Sequence, residues 1–139
     1  MFYIWYIEEY FRVFKSGCKI EDARLSTGER LQKLIAIKSI IAFKILYLSK
    51  VALCHPEEAF TTILTSEEWQ SLYMREHKTT KLPTAPPTVK QAIIWLGKLG
   101  GFMNRKHDKL PGTMTLWRGY ESLKESMNML FIFTSQTCG

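Results

Sequence analysis

"STGERLQKLIAIKSIIAFKILYLSKVALC", residues 26–54, is a long apolar stretch whose reading decides the fold. Ser26 stands three residues before Glu29. That is the spacing of a capping box, in which a hydroxyl accepts from the backbone of the first turn and a glutamate reaches back. Leu31, Leu34, Ile35, Ile41, Ile45 and Leu48 then recur at helical spacing. Further apolar residues fill most of the circumference, and such a helix is expected at the centre of a bundle. Lys33, Lys38, Lys44 and Lys50 break the stretch. Each is costly at a bilayer centre, so the segment reads as a buried helix and not as a membrane span. Arg30, Lys33 and Lys44 share an arc of roughly 60° on the wheel. The arc reads first as a solvated edge and second as a phosphate-facing ridge.

Downstream, His55-Pro56 ends or kinks this helix. "EEAFTTIL", residues 57–64, adds a further turn or two. "TSEE" at 65–68 is a second capping box, opening a helix through about His77. "KTTKLPTAPPT", 78–88, is loop by composition, because proline removes backbone donors and threonine competes for them. No second hydrophobic core lies beyond it, so it connects parts of one domain.

"VKQAIIWLGKLGG", 89–101, carries Val89, Ala92, Ile93, Leu96 and Leu99 on one face and stops at Gly100-Gly101. "NRKHDKLPG", 104–112, is a basic loop. The last helix runs from about Thr113 towards Phe131. Its Leu116, Tyr120, Leu123, Met127 and Leu130 alternate spacings of four and three, the pattern of a helix–helix seam. Packing on the chain's own core is the first reading of that seam, and a dimer interface the second. Whether "FIFTSQTCG", 131–139, packs or frays stays open. The fold class is all-α, a helical bundle.

Upstream lies "WYIEEYFRVFKSG", 5–17. Glu8, Arg12 and Lys15 share a helical face with Ile4 and Trp5 one turn earlier, and Gly17 marks the stop. The plain reading is an exposed ion pair worth a few tenths of a kcal/mol. The sharper one is a catalytic carboxylate flanked by phosphate-binding cations.

With 139 residues and 46% hydrophobic content, the chain suits one folded domain. Nineteen Lys and Arg against thirteen Asp and Glu leave +6, which favours a polyanionic partner without requiring one. Cys18, Cys54 and Cys138 form no CxxC, so a disulfide framework is not expected and a reducing cytoplasm is. The amino terminus lacks the cationic leader of a signal peptide, and Glu8 and Glu9 break its apolar run. P-loop, GxGxxG and GxSxG motifs are missing. His55, His77 and His107 lack zinc-ligand spacing to any cysteine.

Two stretches carry a family resemblance. "IEEYFRVFKSG" resembles the C-terminal half of the Tyr-Arg-Glu-Lys signature, Y-x2-R-x3-E-x6-K, of bacterial insertion-sequence transposases. "WLGKLGGFMNRKHDKLPGTMTLWRGYESL" resembles the dimerisation region of Tn-five-like transposases of the IS-four family. The two stand in collinear order with "RLQKLIAIKSIIAFKILYL" between them. The resemblance implies that residues 1–25 are a remnant of the catalytic domain, a glutamate helix from a truncated ribonuclease-H-like core. It implies a helical dimerisation domain over 26–139.

On that reading Glu8 matches the acidic residue that closes the DDE triad, and Lys15 matches the signature lysine. Arg12 stands where a basic residue is common, Arg24 resembles a basic position near transposon-end DNA, and Arg12, Lys15, Arg24, Arg105 and Lys106 would be available to DNA. Leu116, Tyr120, Leu123, Met127 and Leu130 would form the dimer seam. The complete enzyme is a Mg-dependent nuclease and strand transferase in which metal ions held by three carboxylates activate the attacking oxygen. The signature arginine falls here at Ile4 and its tyrosine at Met1. Both triad aspartates are expected upstream of the glutamate, whereas Asp22 and Asp108 follow it. One carboxylate holds Mg poorly, so no cofactor and no autonomous catalysis are expected. The implied partners are a second copy or a full-length transposase, and DNA. The implied setting is the bacterial cytoplasm at the nucleoid, with no membrane.

Overall fold

A computed structural model describes residues 2–17, 19, 24 and 27–136. Among them the fold is helical without strands: α1 (Phe2–Arg12), continued by a π-helical turn (Val13–Gly17), α2 (Gly28–Cys54), a 3-10 turn (Phe60–Thr62), α3 (Ser66–His77), α4 (Val89–Leu99) and α5 (Thr113–Gln136).

Helix α2 is the long helix expected from the sequence, begun one residue later. Its N-cap is Thr27, whose hydroxyl accepts from the Arg30 N–H, while Ser26 lies outside the described residues. Glu29 accepts instead from Lys33 one turn on, at 2.6 Å. Its expected central position is corrected. Only one face is buried, through Ala42, Ile45, Leu48, Val51 and Ala52, and Ile37, Ile40, Phe43 and Tyr47 are exposed. A helix apolar on all sides buries only the side for which neighbours exist, and here these meet α2 along one flank.

Helix α4, only eleven residues long, packs against α2, α3 and α5, and α5 in turn packs against α2, α3 and α4. The ends of α4 are set locally. Thr88 and Gln91 form a two-armed capping box. At the other end Gly101 has φ +97°, with Phe102 N–H bonded to Gly97 O and Gly101 N–H to Lys98 O. That is a Schellman stop, which needs a residue tolerant of the left-handed region. Helix α3 starts as expected, with both arms of the Thr65–Glu68 box in place.

The crossing of α4 and α5 is backbone on backbone. A Cβ at Gly119 would stand 1.9 Å from Leu96 O, and one at Gly100 would stand 1.9 Å from Thr115 O. These two glycines permit the approach that buries Leu96, Leu116, Trp117 and Leu123 together. The proline-rich loop is tied down by backbone bonds from Phe60 to Pro87, Val89 to Glu58 and Lys90 to Pro56, around an isolated bridge between Ala59 and Thr88.

Helix α1 joins the same core through its last turns. Val13 is fully buried, and Gly17 packs so closely on Trp117 that a Cβ would lie 3.1 Å from the indole. Tyr10 shares a short hydrogen bond with Ser39 of α2. Among the described residues no helix is long and apolar enough to cross a membrane.

Candidate functional site

The acidic–basic face of α1 comes first. Glu8 is exposed and forms no ion pair among the described residues. The arginine expected beside it turns to its neighbour: Arg12 pairs with Glu9 at 2.5 Å and reaches Thr113 Oγ1 at 3.3 Å. Thr113 also donates to Glu9. The ion pair on α1 therefore anchors it to the start of α5, which helical spacing alone does not reveal. Lys15 is exposed, as is Arg24 beyond the turn. Asp22 lies outside the described residues.

A metal at Glu8 would need several oxygen ligands in fixed geometry. Among the described residues no group of three or more His, Cys, Asp or Glu is placed to hold one. Glu9 is already engaged by Arg12 and Thr113. Among the described residues the donors around Glu8 do not make up a divalent-metal site.

The basic loop enters α5 at the same end. Asn104 sits at φ +49°, the Arg105 N–H donates to Asp108 Oδ2 at 2.7 Å, and Asp108 N–H returns to Arg105 O. This closed turn holds Arg105, Lys106, His107 and Lys109 at the surface. Arg12 and the basic loop thus approach the N-terminal end of α5 from two elements.

The seam of α5 divides in two. Leu116, Tyr120 and Leu123 are buried in this chain's own core, Met127 packs partly against it, and Leu130 is exposed. The first reading of the seam therefore describes its proximal half. Leu116, Tyr120 and Leu123 are covered by this chain's own helices. The distal half runs past the core, and Met129 to Phe133 are all exposed.

Sequence reasoning missed the buried charge. Glu68, read only as a capping residue, is 2% exposed between three helices. Its carboxylate accepts from Lys44 of α2 at 2.7 Å, from Lys124 of α5 at 3.1 Å, from the Tyr120 hydroxyl at 2.6 Å and from the Thr65 N–H at 3.0 Å. Burial pushes its pKa up, but the Lys44 ammonium, the Tyr120 hydroxyl and the Thr65 N–H outweigh this and hold it at about 2. Burial and the Glu68 charge raise the Tyr120 phenol well above its usual range. Lys44, placed by the wheel on a solvated edge, is thereby corrected to an internal partner. The available signal was a tyrosine at a seam position, since a buried hydroxyl needs a polar partner.

The features define a class first: a small helical module with a self-contained core, an apolar helix end standing clear of it, and a cationic loop. Residues 40–130, well over half of the chain, match the family model described as the transposase Tn5 dimerisation domain. The chain belongs to that family. The match begins inside α2, so α1, with Glu8, Arg12 and Lys15, lies outside it, as does Arg24.

Proposed function

We propose that the chain is the C-terminal part of a transposase of the insertion-sequence DDE type, whose work is to pair subunits during DNA transposition. Residues 1–25 are then the glutamate-bearing end of a catalytic domain, and residues 26–139 the dimerisation domain. The single observation that carries this reading is the family match over residues 40–130. The exposed distal half of α5 supports it, because a run of large apolar side chains in water is stabilised by covering it.

Arg12, Lys15, Arg24, Arg105 and Lys106 make auxiliary contacts to DNA phosphates in this proposal. Such contacts set position and not sequence. In this proposal the chain does not cut alone and depends on carboxylates from elsewhere in the transposase to share a metal with Glu8. Its setting is the bacterial cytoplasm, on DNA.

Sedimentation equilibrium across a wide concentration range tests the reading. A reversible monomer–dimer equilibrium is expected. A strictly monomeric species at high concentration would overturn it.

A second reading is favoured by α1 itself. Ile4, Ile7 and Phe11 are exposed on one face, with Glu8 at its edge. That face suits docking by a separate aspartate-bearing domain that completes an active site in trans. Mixing the two pieces and assaying Mg-dependent nicking decides it. Activity abolished by Glu8→Gln is expected, and activity indifferent to that change would sink the idea.

A further inference from the structure

A slot of about 380 Å³ opens between α3, α4 and the proline-rich loop. That volume falls within the roughly 300–1,000 Å³ typical of small-molecule sites. Its two walls differ in chemistry. One is aromatic: Tyr73 and His77, one turn apart on α3, meet Trp95 of α4. Ring centroids stand 4.3 Å apart for Tyr73 and His77, 5.0 Å for His77 and Trp95, and 5.8 Å for Tyr73 and Trp95. The other wall is made of Pro83, Pro86 and Pro87. The slot is preformed, because backbone bonds pin the loop at each end. Thr79 N–H bonds to Met74 O at its start, and Phe60 N–H to Pro87 O and Val89 N–H to Glu58 O hold its finish.

The aromatic wall also carries polar atoms with nothing to bond. Among the described residues the Tyr73 hydroxyl, the His77 ring nitrogens and the Trp95 indole N–H form no hydrogen bond. Together they offer donors and acceptors. Gln91, also lining the slot, accepts from the Thr88 N–H through Oε1 and keeps its amide NH2. A matching ligand has flat apolar faces and a hydrogen-bonding edge, and a nucleobase has both. Lys81 in the loop and Lys90 beside Gln91 are exposed and form no ion pair among the described residues, whereas Lys98 is held by Glu76. Two unpaired cations suit a phosphate. They would repel a quaternary ammonium, the other common guest of aromatic walls.

We infer that this slot binds one unstacked nucleobase together with its phosphate, the ring lying between the Trp95–His77 wall and the prolines. The inference goes beyond the pairing function and does not depend on it, since a single copy supplies the whole slot.

The test compares binding of the full chain to a fluorescent single-stranded oligodeoxynucleotide and to an abasic strand of equal length, read by anisotropy. The abasic strand keeps the phosphates and lacks the bases. The base-bearing strand is expected to bind roughly tenfold or more tightly. Ala85→Trp fills the slot from an exposed loop position, and His77→Ala removes an exposed part of the aromatic wall. Each, checked for native helicity by circular dichroism, should erase that difference and leave abasic binding unchanged. Calorimetric titration with deoxyadenosine monophosphate separates the sources of the base. Affinity equal to the strand's assigns the slot to a free nucleotide, and weaker binding beside a base-dependent strand affinity assigns it to DNA. Equal binding of the two strands with no mononucleotide binding, or a base-dependent affinity that survives either variant, would overturn the inference. Sedimentation reads the pairing function separately, so a monomeric chain would leave the slot standing.

Discussion

Lys44 Nζ lies 2.7 Å from Glu68 Oε2, and the carboxylate is almost fully withdrawn from water. The pair joins α2 to α3, and Tyr120 and Lys124 extend it to α5. Removing one partner of a buried pair leaves the other charge uncompensated, which is costlier than never having had the pair. Glu68→Gln is expected to destabilise the fold by about 3 kcal/mol. Denaturant unfolding measures it, and a change below about 1 kcal/mol would mean that solvent reaches the cluster.

Acid titration gives the same group a sign. The Glu68 pKa is about 2 in the folded chain against an ordinary 4.5, so between these values the unfolded chain binds the extra proton. The stabilisation is present above about pH 4.5 and is lost as the pH falls through 2. Urea midpoints should fall over that window in the native chain and fall less steeply in Glu68→Gln. Parallel pH profiles for the two would contradict the geometry.

Gly119→Ala should act through space alone. The added Cβ meets the Leu96 carbonyl at 1.9 Å, and no rotamer relieves a backbone collision. A loss of about 3 kcal/mol or more is expected in thermal or denaturant melts. A neutral result would require α4 and α5 to separate without cost.

The two halves of the α5 seam should respond differently to the same substitution. Leu123→Asp places an unpaired charge where exposure is zero and should abolish folding, at more than about 4 kcal/mol. Leu130→Asp alters a side chain that is 55% exposed and should leave the helix content intact. Circular dichroism separates them, and a folded Leu123→Asp would refute the assignment of that residue to the core.

DNA affinity, if carried by the basic loop, must depend on salt. Each phosphate contact adds about 0.9 to the slope of log affinity against log salt. Replacing Arg105 and Lys106 with alanine should lower that slope by about 2 and weaken all sequences alike. An unchanged slope would remove these two residues from the interface.

Much of the architecture was legible because its signals are local. The Thr65–Glu68 box, the Gly100-Gly101 stop and the composition of residues 78–88 act within a few residues, so spacing alone places α3, α4 and the loop between them. The cap of α2 stands one residue beyond the one expected, at Thr27, a second hydroxyl next in sequence. The resemblance to a transposase dimerisation region also lay in the residues themselves, and the matched span of 40–130 agrees with it.

Apolar periodicity, by contrast, states which face of a helix prefers to leave water and not what covers it. Only the packed chain decided that α2 buries a single face, and that Leu116, Tyr120 and Leu123 enter the chain's own core while Met129 to Phe133 remain outside. Only it turned Lys44 inward to Glu68 and paired Arg12 with Glu9 instead of Glu8. Local hydrogen bonding is settled within one turn of chain, whereas burial and ion pairing depend on atoms brought together from distant segments.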